Sequence, residues 1–346
     1  MDSYIKIGQR KIGTNYPPLI IVELGINHNG KIDIAKKIIK SAKKAGAEII
    51  KNQTHIADKE MSEEAKKIIP VHTKENIFKI IQDSSLNEKQ EHNLKEFTNK
   101  NNMMYISTPF SKEAADRLNK LGVPAFKIGS GECNNYPLID YICKFKKPII
   151  LSTGMNDIKS IKKAVKILKK NKIDFALMHT TNLYPTPSKL IRLNAINDMR
   201  KAFPDVPLGL SDHTGDNFTS FAAIAMGASL IEKHYVDKKT RAGVDIPASI
   251  DFHQLEELIR GSNEIFKAIP GKKKPVREEV NTMKFAFASV VSIKDIKKGE
   301  KFSLDNIWVK RPGTGDFMAE ELNKILGKKS LKQIKINTQL KKKHIK

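Results

Sequence analysis

The chain has 346 residues, 40% of them apolar, enough for one large and one small domain with substantial cores. Its formal charge of +24 rests on 54 Lys against only 8 Arg; nucleic-acid readers lean on Arg for bidentate contacts, so the excess reads as a solvated, anion-attracting surface with no nucleic-acid partner. No run approaches the ~20 apolar residues of a membrane helix, the N-terminus lacks the regions of a secretory leader, and Cys133 and Cys143 make no disulfide framework, so a cytoplasmic protein with no membrane partner is expected.

Residues 19–23, Leu-Ile-Ile-Val-Glu, form a short apolar run after Pro17-Pro18 and predict the first strand. Asn29-Gly30 turns the chain, and Ile34, Ile38, Ile39 and Ala42 recur at helical spacing. Further strands are predicted at 48–51, at 103–108 after a long connection with helical pieces, and at 125–128, 148–152, 175–179, 208–211 and 230–234. Helical patterns fall at 114–121, 139–145, 158–169, 217–226 and 253–269. Eight strands alternating with helical connections is the count of a (β/α)8 TIM barrel, placed at 1–270. A doubly wound sheet is the competing architecture, but it usually carries a Gly-rich dinucleotide loop, which is absent after the first strand. A linker is expected over 271–283, opening with Gly271-Lys272-Lys273-Lys274-Pro275. Residues 284–346 predict a small β-rich module, with strands at 287–291 and 307–310. Its Trp308 and Phe residues read as core.

The predicted strands end in polar residues: Glu23, Lys51 with Gln53, Ser107 with Thr108, Lys127 with Ser130, Ser152 with Thr153, His179 with Asn182, Ser211 with His213, and His234. Any one such end is ordinary, since loops are polar. In a barrel all eight share one mouth, where active sites are built.

His213 and His234 close successive strands, and neutral imidazole is a common metal ligand. Their spacing is no recognised metal signature; a lone histidine of this kind is more often a hydrogen-bonded structural residue. Glu23 adds a carboxylate to the same mouth. Lys51, Lys127, Ser130, Ser152, Asn182 and Ser211 suit a phosphate or carboxylate, and Gly129-Ser130-Gly131 offers backbone amides to a small anion. Lys51 or Lys127 could instead form a Schiff base, which would make the protein a pyruvate aldolase. A third reading is a dead barrel with a basic binding module. Cys133, beside Glu132, has no evident histidine partner and is not read as a nucleophile.

Taken together, Glu23-Leu24-Gly25-Ile26-Asn27-His28-Asn29-Gly30, Lys51-Asn52-Gln53-Thr54-His55, Ser107-Thr108-Pro109-Phe110, Lys127-Ile128-Gly129-Ser130-Gly131-Glu132, Leu151-Ser152-Thr153-Gly154-Met155, Tyr184-Pro185-Thr186-Pro187 and Gly209-Leu210-Ser211-Asp212-His213-Thr214 resemble the bacterial N-acetylneuraminate (sialic acid) synthases. Phe285-Ala286-Phe287-Ala288-Ser289 and Val309-Lys310-Arg311-Pro312-Gly313 resemble that family's C-terminal antifreeze-like (SAF) domain. The resemblance implies condensation of phosphoenolpyruvate with N-acetylmannosamine and water to N-acetylneuraminate and phosphate. It implies a divalent cation, Mn2+ first with Mg2+ or Co2+ as alternatives, on His213 and His234. It places phosphoenolpyruvate on Lys51, Thr108, Lys127, Ser130, Ser152, Asn182 and Ser211. It places the sugar on Gln53, Tyr184 and Asp245, with Glu132 near, and makes Glu23 or Glu132 the proton-handling group. It also implies a domain-swapped homodimer in which the antifreeze-like domain covers the partner's barrel mouth and brings Arg311, with Phe285, to the sugar. The chain departs from many relatives at Asn52 and His72, and from close ones at Val244 and Pro247. These positions bear on the choice of sugar, for which legionaminic or pseudaminic acid precursors are the alternatives.

Overall fold

A computed structural model describes residues 3–70 and 73–345, in two compact units, Met1–Pro270 and Gly271–Lys346. The first unit opens with an antiparallel hairpin, β1 (Tyr4–Ile7) and β2 (Arg10–Gly13). Eight parallel strands follow: β3 (Leu19–Glu23), β4 (Ile49–Thr54), β5 (Met104–Pro109), β6 (Phe126–Ile128), β7 (Ile149–Ser152), β8 (Phe175–Thr180), β9 (Leu208–Asp212) and β10 (Leu230–His234). They close into a barrel in chain order, with β10 pairing back onto β3. This is the expected TIM-like architecture, and the doubly wound alternative falls away.

Side chains alternate across each strand. One column packs outward against the helices: Val22, Ile50, Leu151, Leu177 and Ile231 join a large core with Ile38, Leu118, Ile139 and Leu168. The other column faces inward. Its lower members, among them Leu19, Ile21, Ile49, Ile106, Ile150, Met178 and Leu230, form a second apolar cluster, into which the hairpin inserts Ile5, Ile7 and Ile12. The hairpin therefore plugs the barrel floor. Its alternation of exposed and buried residues, Tyr4-Ile5-Lys6-Ile7, was legible but not read as a strand. Helix Asn194–Ala202, between β8 and β9, was likewise unpredicted, and the long connection after β4 holds helices Ile77–Ser84 and Glu88–Lys100. Among the described residues no helix is long and apolar enough to cross a membrane.

The second unit pairs β11 (Ser289–Ser292) antiparallel with β12 (Ile307–Lys310) over a core of Val290, Ile296, Phe302, Ile307, Ile325, Ile334 and Leu340. Helix Val280–Ala286 precedes it, so part of the segment read as linker is helical. The reading of its aromatics as core holds for Phe302 but not for Trp308, Phe285 or Phe287. Trp308 is 49% exposed because it lies on β12 between Ile307 and Val309, which turn inward to the core.

Candidate functional site

Above the apolar floor, the inward column changes character. Glu23 continues Leu19 and Ile21; Lys51 and Gln53 continue Ile49; Lys127 continues Ala125; Ser152 continues Ile150; Glu232 and His234 continue Leu230. These residues, with Thr108, Ser130, Thr180, Asn182, Tyr184, Ser211 and His213, line one cavity of about 120 Å³. The polar residues expected at strand ends meet because their two-residue spacing keeps them on one face.

At its centre lie two lysines and two glutamates. Lys51 Nζ is 3.1 Å from Glu23 Oε1 and 3.7 Å from Glu232 Oε1, and donates to Thr108 Oγ1 at 3.3 Å. Lys127 Nζ is 3.6 Å from Glu232 Oε1 and donates to Ser152 Oγ at 2.6 Å. Ser211 donates to Glu232 Oε1 at 2.8 Å. Burial pushes Glu23 up to about 7, against the pull of Lys51. Burial lowers Lys127 to about 8, opposed by Glu232. Burial would raise Glu232, but Lys127 and Lys51 hold it well below the usual carboxylate range. One oxygen of each glutamate, Oε2, has no hydrogen-bond partner, and neither has Asn182 Oδ1.

Glu232 was missed in the sequence. Two residues before His234 on the same strand, it shares the inward column, and that spacing was the available signal. Conversely, three residues counted among the strand ends face outward. His179 Nε2 lies 2.6 Å from the Ile191 carbonyl, Ser107 bonds Thr54 at 2.7 Å, and Thr153 donates to the Met178 carbonyl at 2.9 Å. None lines the cavity. Asn52 also faces outward, fully buried, so its departure from the family pattern does not alter the cavity wall. His72 lies outside the described residues.

The two histidine rings meet edge to face with centroids 5.4 Å apart, and Tyr184 stacks on His213 at 4.2 Å. Burial lowers both histidines to about 3, so both are neutral. His213 Nδ1 lies 2.9 Å from the Thr181 carbonyl and donates to it, which leaves the Nε2 lone pair for a ligand. His234 Nδ1 is buried without a hydrogen-bond partner, 3.5 Å from Asp245 Oδ2. Gly25, at φ +51°, allows this approach: a Cβ there would stand 2.5 Å from Asp245 Oδ2 and 2.9 Å from His234 Nδ1. Among the described residues no three His, Cys, Asp or Glu side chains are grouped to hold a metal. Two neutral imidazoles fit a divalent ion whose other positions are filled by substrate oxygens and water.

Asp245 lies in an adjoining space of about 330 Å³ that shares Gln53, Phe110, Tyr184 and His234 with the first and is otherwise walled mainly by Ile26, Ile77, Ile80, Ile81 and Val244. Glu132 lies on the turn after β6, where Asn135 Nδ2 donates to it at 2.5 Å, and it does not line the cavity. Cys133 is fully buried, and burial pushes its thiol up to about 12, too high for a nucleophile. Phe285 and Arg311 are both exposed within the second unit.

Residues 38–274 match the NeuB family and residues 287–346 the SAF domain. An N,N'-diacetyllegionaminic acid synthase of Campylobacter jejuni is 39% identical over 92% of this chain and 97% of its own. A pseudaminic acid synthase of the same species is 32% identical over 95% of this chain and 96% of its own. The crystal structure of the N-acetylneuraminic acid (sialic acid) synthetase from Leptospira borgpetersenii in complex with citrate superposes with a TM-score of 0.75 at 30% identity, covering 82% of this chain and 96% of that one.

Proposed function

Because the chain belongs to the NeuB family of phosphoenolpyruvate-dependent nonulosonic acid synthases and carries a C-terminal SAF domain, we propose that it condenses phosphoenolpyruvate with an open-chain acetamido hexose and water, releasing phosphate and a nine-carbon 2-keto acid. Family membership sets aside the Schiff-base aldolase and the dead-barrel readings. One observation carries the chemical reading: two lysines, two glutamates and two neutral histidines of the inward column line a single buried cavity.

The phosphate and carboxylate of phosphoenolpyruvate would lie against Lys51 and Lys127, with Thr108, Ser130, Ser152, Asn182 and Ser211 donating around them. Family enzymes use a divalent metal ion. Held by His213 and His234, such an ion would polarise the sugar's aldehyde oxygen. C3 of phosphoenolpyruvate attacks the aldehyde carbon, positive charge develops at C2, and water adds there. Glu232, held ionised by two lysines, would stabilise that charge. Glu23, near neutrality in its proton affinity and with one oxygen free, would take the water's proton; its place in the cavity favours it over Glu132. Collapse of the tetrahedral centre expels phosphate by cleavage of its bond to C2.

For the sugar, N-acetylmannosamine is the simplest candidate. The annex favours a second reading, a diacetamido hexose of the kind that leads to a diacetyllegionaminic acid. Its isoleucines and Val244 would strand hydroxyls without partners but accept methyl groups. In this reading, Gln53, Tyr184 and Asp245 contact the sugar. A symmetric dimer, with Phe285 and Arg311 of one chain reaching the partner's mouth, is part of the proposal and is supported by the exposure of both side chains.

The test is phosphate release from phosphoenolpyruvate with Mn2+ and a panel of acetamido sugars. We expect release with both candidates and a preference for the diacetamido sugar in kcat/KM of roughly tenfold or more. No release with any acetamido hexose would sink the proposal; equal use of both sugars would sink the annex reading alone.

A further inference from the structure

Beside Glu23 runs a chain of side chains, Gln53, His55 and Glu60; Gln53 and His55 also line the annex proposed for the sugar, but the chemistry above assigns no part to His55 or Glu60. Gln53 Nε2 donates to Glu23 Oε1 at 2.8 Å. Gln53 Oε1 lies 3.0 Å from His55 Nε2. His55 Nδ1 lies 2.9 and 3.1 Å from the two carboxyl oxygens of Glu60. The His55 side chain is 5% exposed and stacks on Phe110 with ring centroids 4.2 Å apart, so it has little freedom to turn. Glu60, at the end of the short helix Ala57–Glu60, also accepts the Ile56 amide at 3.4 Å, and its side chain is buried.

The direction of each bond follows from its neighbours. A primary amide has one donating end and one accepting end. With the Gln53 nitrogen turned to a carboxylate, its oxygen faces His55, so His55 Nε2 carries a proton. Nδ1 and the Glu60 carboxyl share another. If Gln53 turned over, its carbonyl would face the Glu23 carboxylate, acceptor against acceptor, and its NH2 would face a ring N–H. The histidine thus selects the amide orientation, and the glutamate holds the histidine. The effect reaches Glu23 unevenly. Its Oε1 receives both Gln53 and Lys51, at 2.8 and 3.1 Å, while Oε2 is left without a partner.

We propose that His55 and Glu60 are positioning residues for Glu23: through Gln53 they anchor one carboxyl oxygen and leave the other to meet the reacting water. This rests on the reading of Glu23 given above. The supporting geometry is three successive contacts, Glu60–His55–Gln53–Glu23, all within 3.1 Å.

The experiment uses the full-length enzyme with phosphoenolpyruvate, Mn2+ and the best sugar of the panel. His55→Phe keeps the stacking surface and removes both ring N–H groups. It should lower kcat roughly 10- to 100-fold and change the KM of either substrate less than about threefold. His55→Gln, which returns a donor near Nε2, should recover most of that loss, and Glu60→Gln should fall in between. In a Gln53→Ala background, His55→Phe should have no further effect. Wild-type kcat in His55→Phe, a loss confined to the sugar's KM, or full additivity with Gln53→Ala would each overturn the proposal. A readout independent of turnover is the 15N spectrum of the His55 ring, assigned by its loss in His55→Phe. A protonated Nε2 is expected, and an unprotonated one overturns the relay even if the enzyme turns over no sugar tried. Absence of turnover in the wild type, by contrast, counts against the reaction and not against the relay.

Discussion

Strands β9 and β10 carry buried charge on both faces, and the two faces treat it differently. Outside the barrel, Lys233 and Asp212 pair at 3.2 Å with neither exposed. Asp212 also accepts from Thr219 at 2.6 Å, Ser220 at 2.7 Å and the Thr214 amide at 2.9 Å. Lys233 donates to the Thr214 carbonyl and hydroxyl at 2.6 and 2.9 Å. Inside, one residue away along each strand, Ser211 and Glu232 belong to a cluster in which Glu232 Oε2, Glu23 Oε2 and Asn182 Oδ1 have no partner. Buried charge paired to saturation is scaffold; here it grips the loop that carries His213. Buried charge with spare acceptors is arranged for something that arrives from outside.

This contrast can be broken by experiment. The largest effect should come from the inner cluster: Lys127→Met should reduce kcat/KM for phosphate release by ~10³ or more while leaving a folded protein, because Lys51 still faces Glu232. A variant retaining a tenth of the wild-type rate would erase the distinction. Metal removal should act on the same face. Chelation should reduce turnover by about 100-fold or more, with recovery on adding Mn2+, and His213→Ala should not recover. Retained turnover in excess chelator would dissociate the histidine pair from the chemistry. The outer pair should show itself in stability. Asp212→Ala leaves Lys233 buried without its counter-charge and should cost about 3–5 kcal/mol in urea unfolding; a shift below about 1 kcal/mol would mean that the pair is not structural.

The smallest effect concerns His28, 2% exposed, whose Nδ1 accepts the Gly30 amide at 3.2 Å. Burial lowers its folded pKa from 6.5 to about 4. The unfolded chain therefore takes up this proton first, and stability should fall as pH drops from 6.5 towards 4, by at most ~3 kcal/mol, with no contribution from this group above 6.5. His28→Gln should flatten that part of the profile, as read from thermal midpoints; an unchanged slope would relocate the titration to another group.

Much of the barrel was legible because its strands are short apolar runs, and the run at residues 19–23 matches β3 end to end. The hairpin was harder: Tyr4-Ile5-Lys6-Ile7 does alternate, but two four-residue strands with Ile5, Ile7 and Ile12 as their buried apolar side chains give a short signal until the floor they fill is known. At the site, residue type was easier to read than direction. Lys51, Lys127, His213 and His234 do meet in the cavity, whereas His179 faces outward because its neighbours Met178 and Thr180 take the inward positions. Glu232 was hidden for the opposite reason: it stands inside its strand and not at the polar end, although the same two-residue spacing that carries Leu230 to His234 passes through it. The aromatics of the second unit show the limit of composition, which does not separate Phe302 in the core from Trp308 outside it.

The plug that Ile5, Ile7 and Ile12 make beneath the inward column has a kinetic consequence. A barrel stoppered at its base is a one-door room. In the proposed reaction the anionic reactant, against lysines above the stopper, would lie below the sugar, so order of entry would follow from depth: the enolpyruvate would be in before the aldehyde arrives, and whatever settles lowest would wait for the doorway to clear.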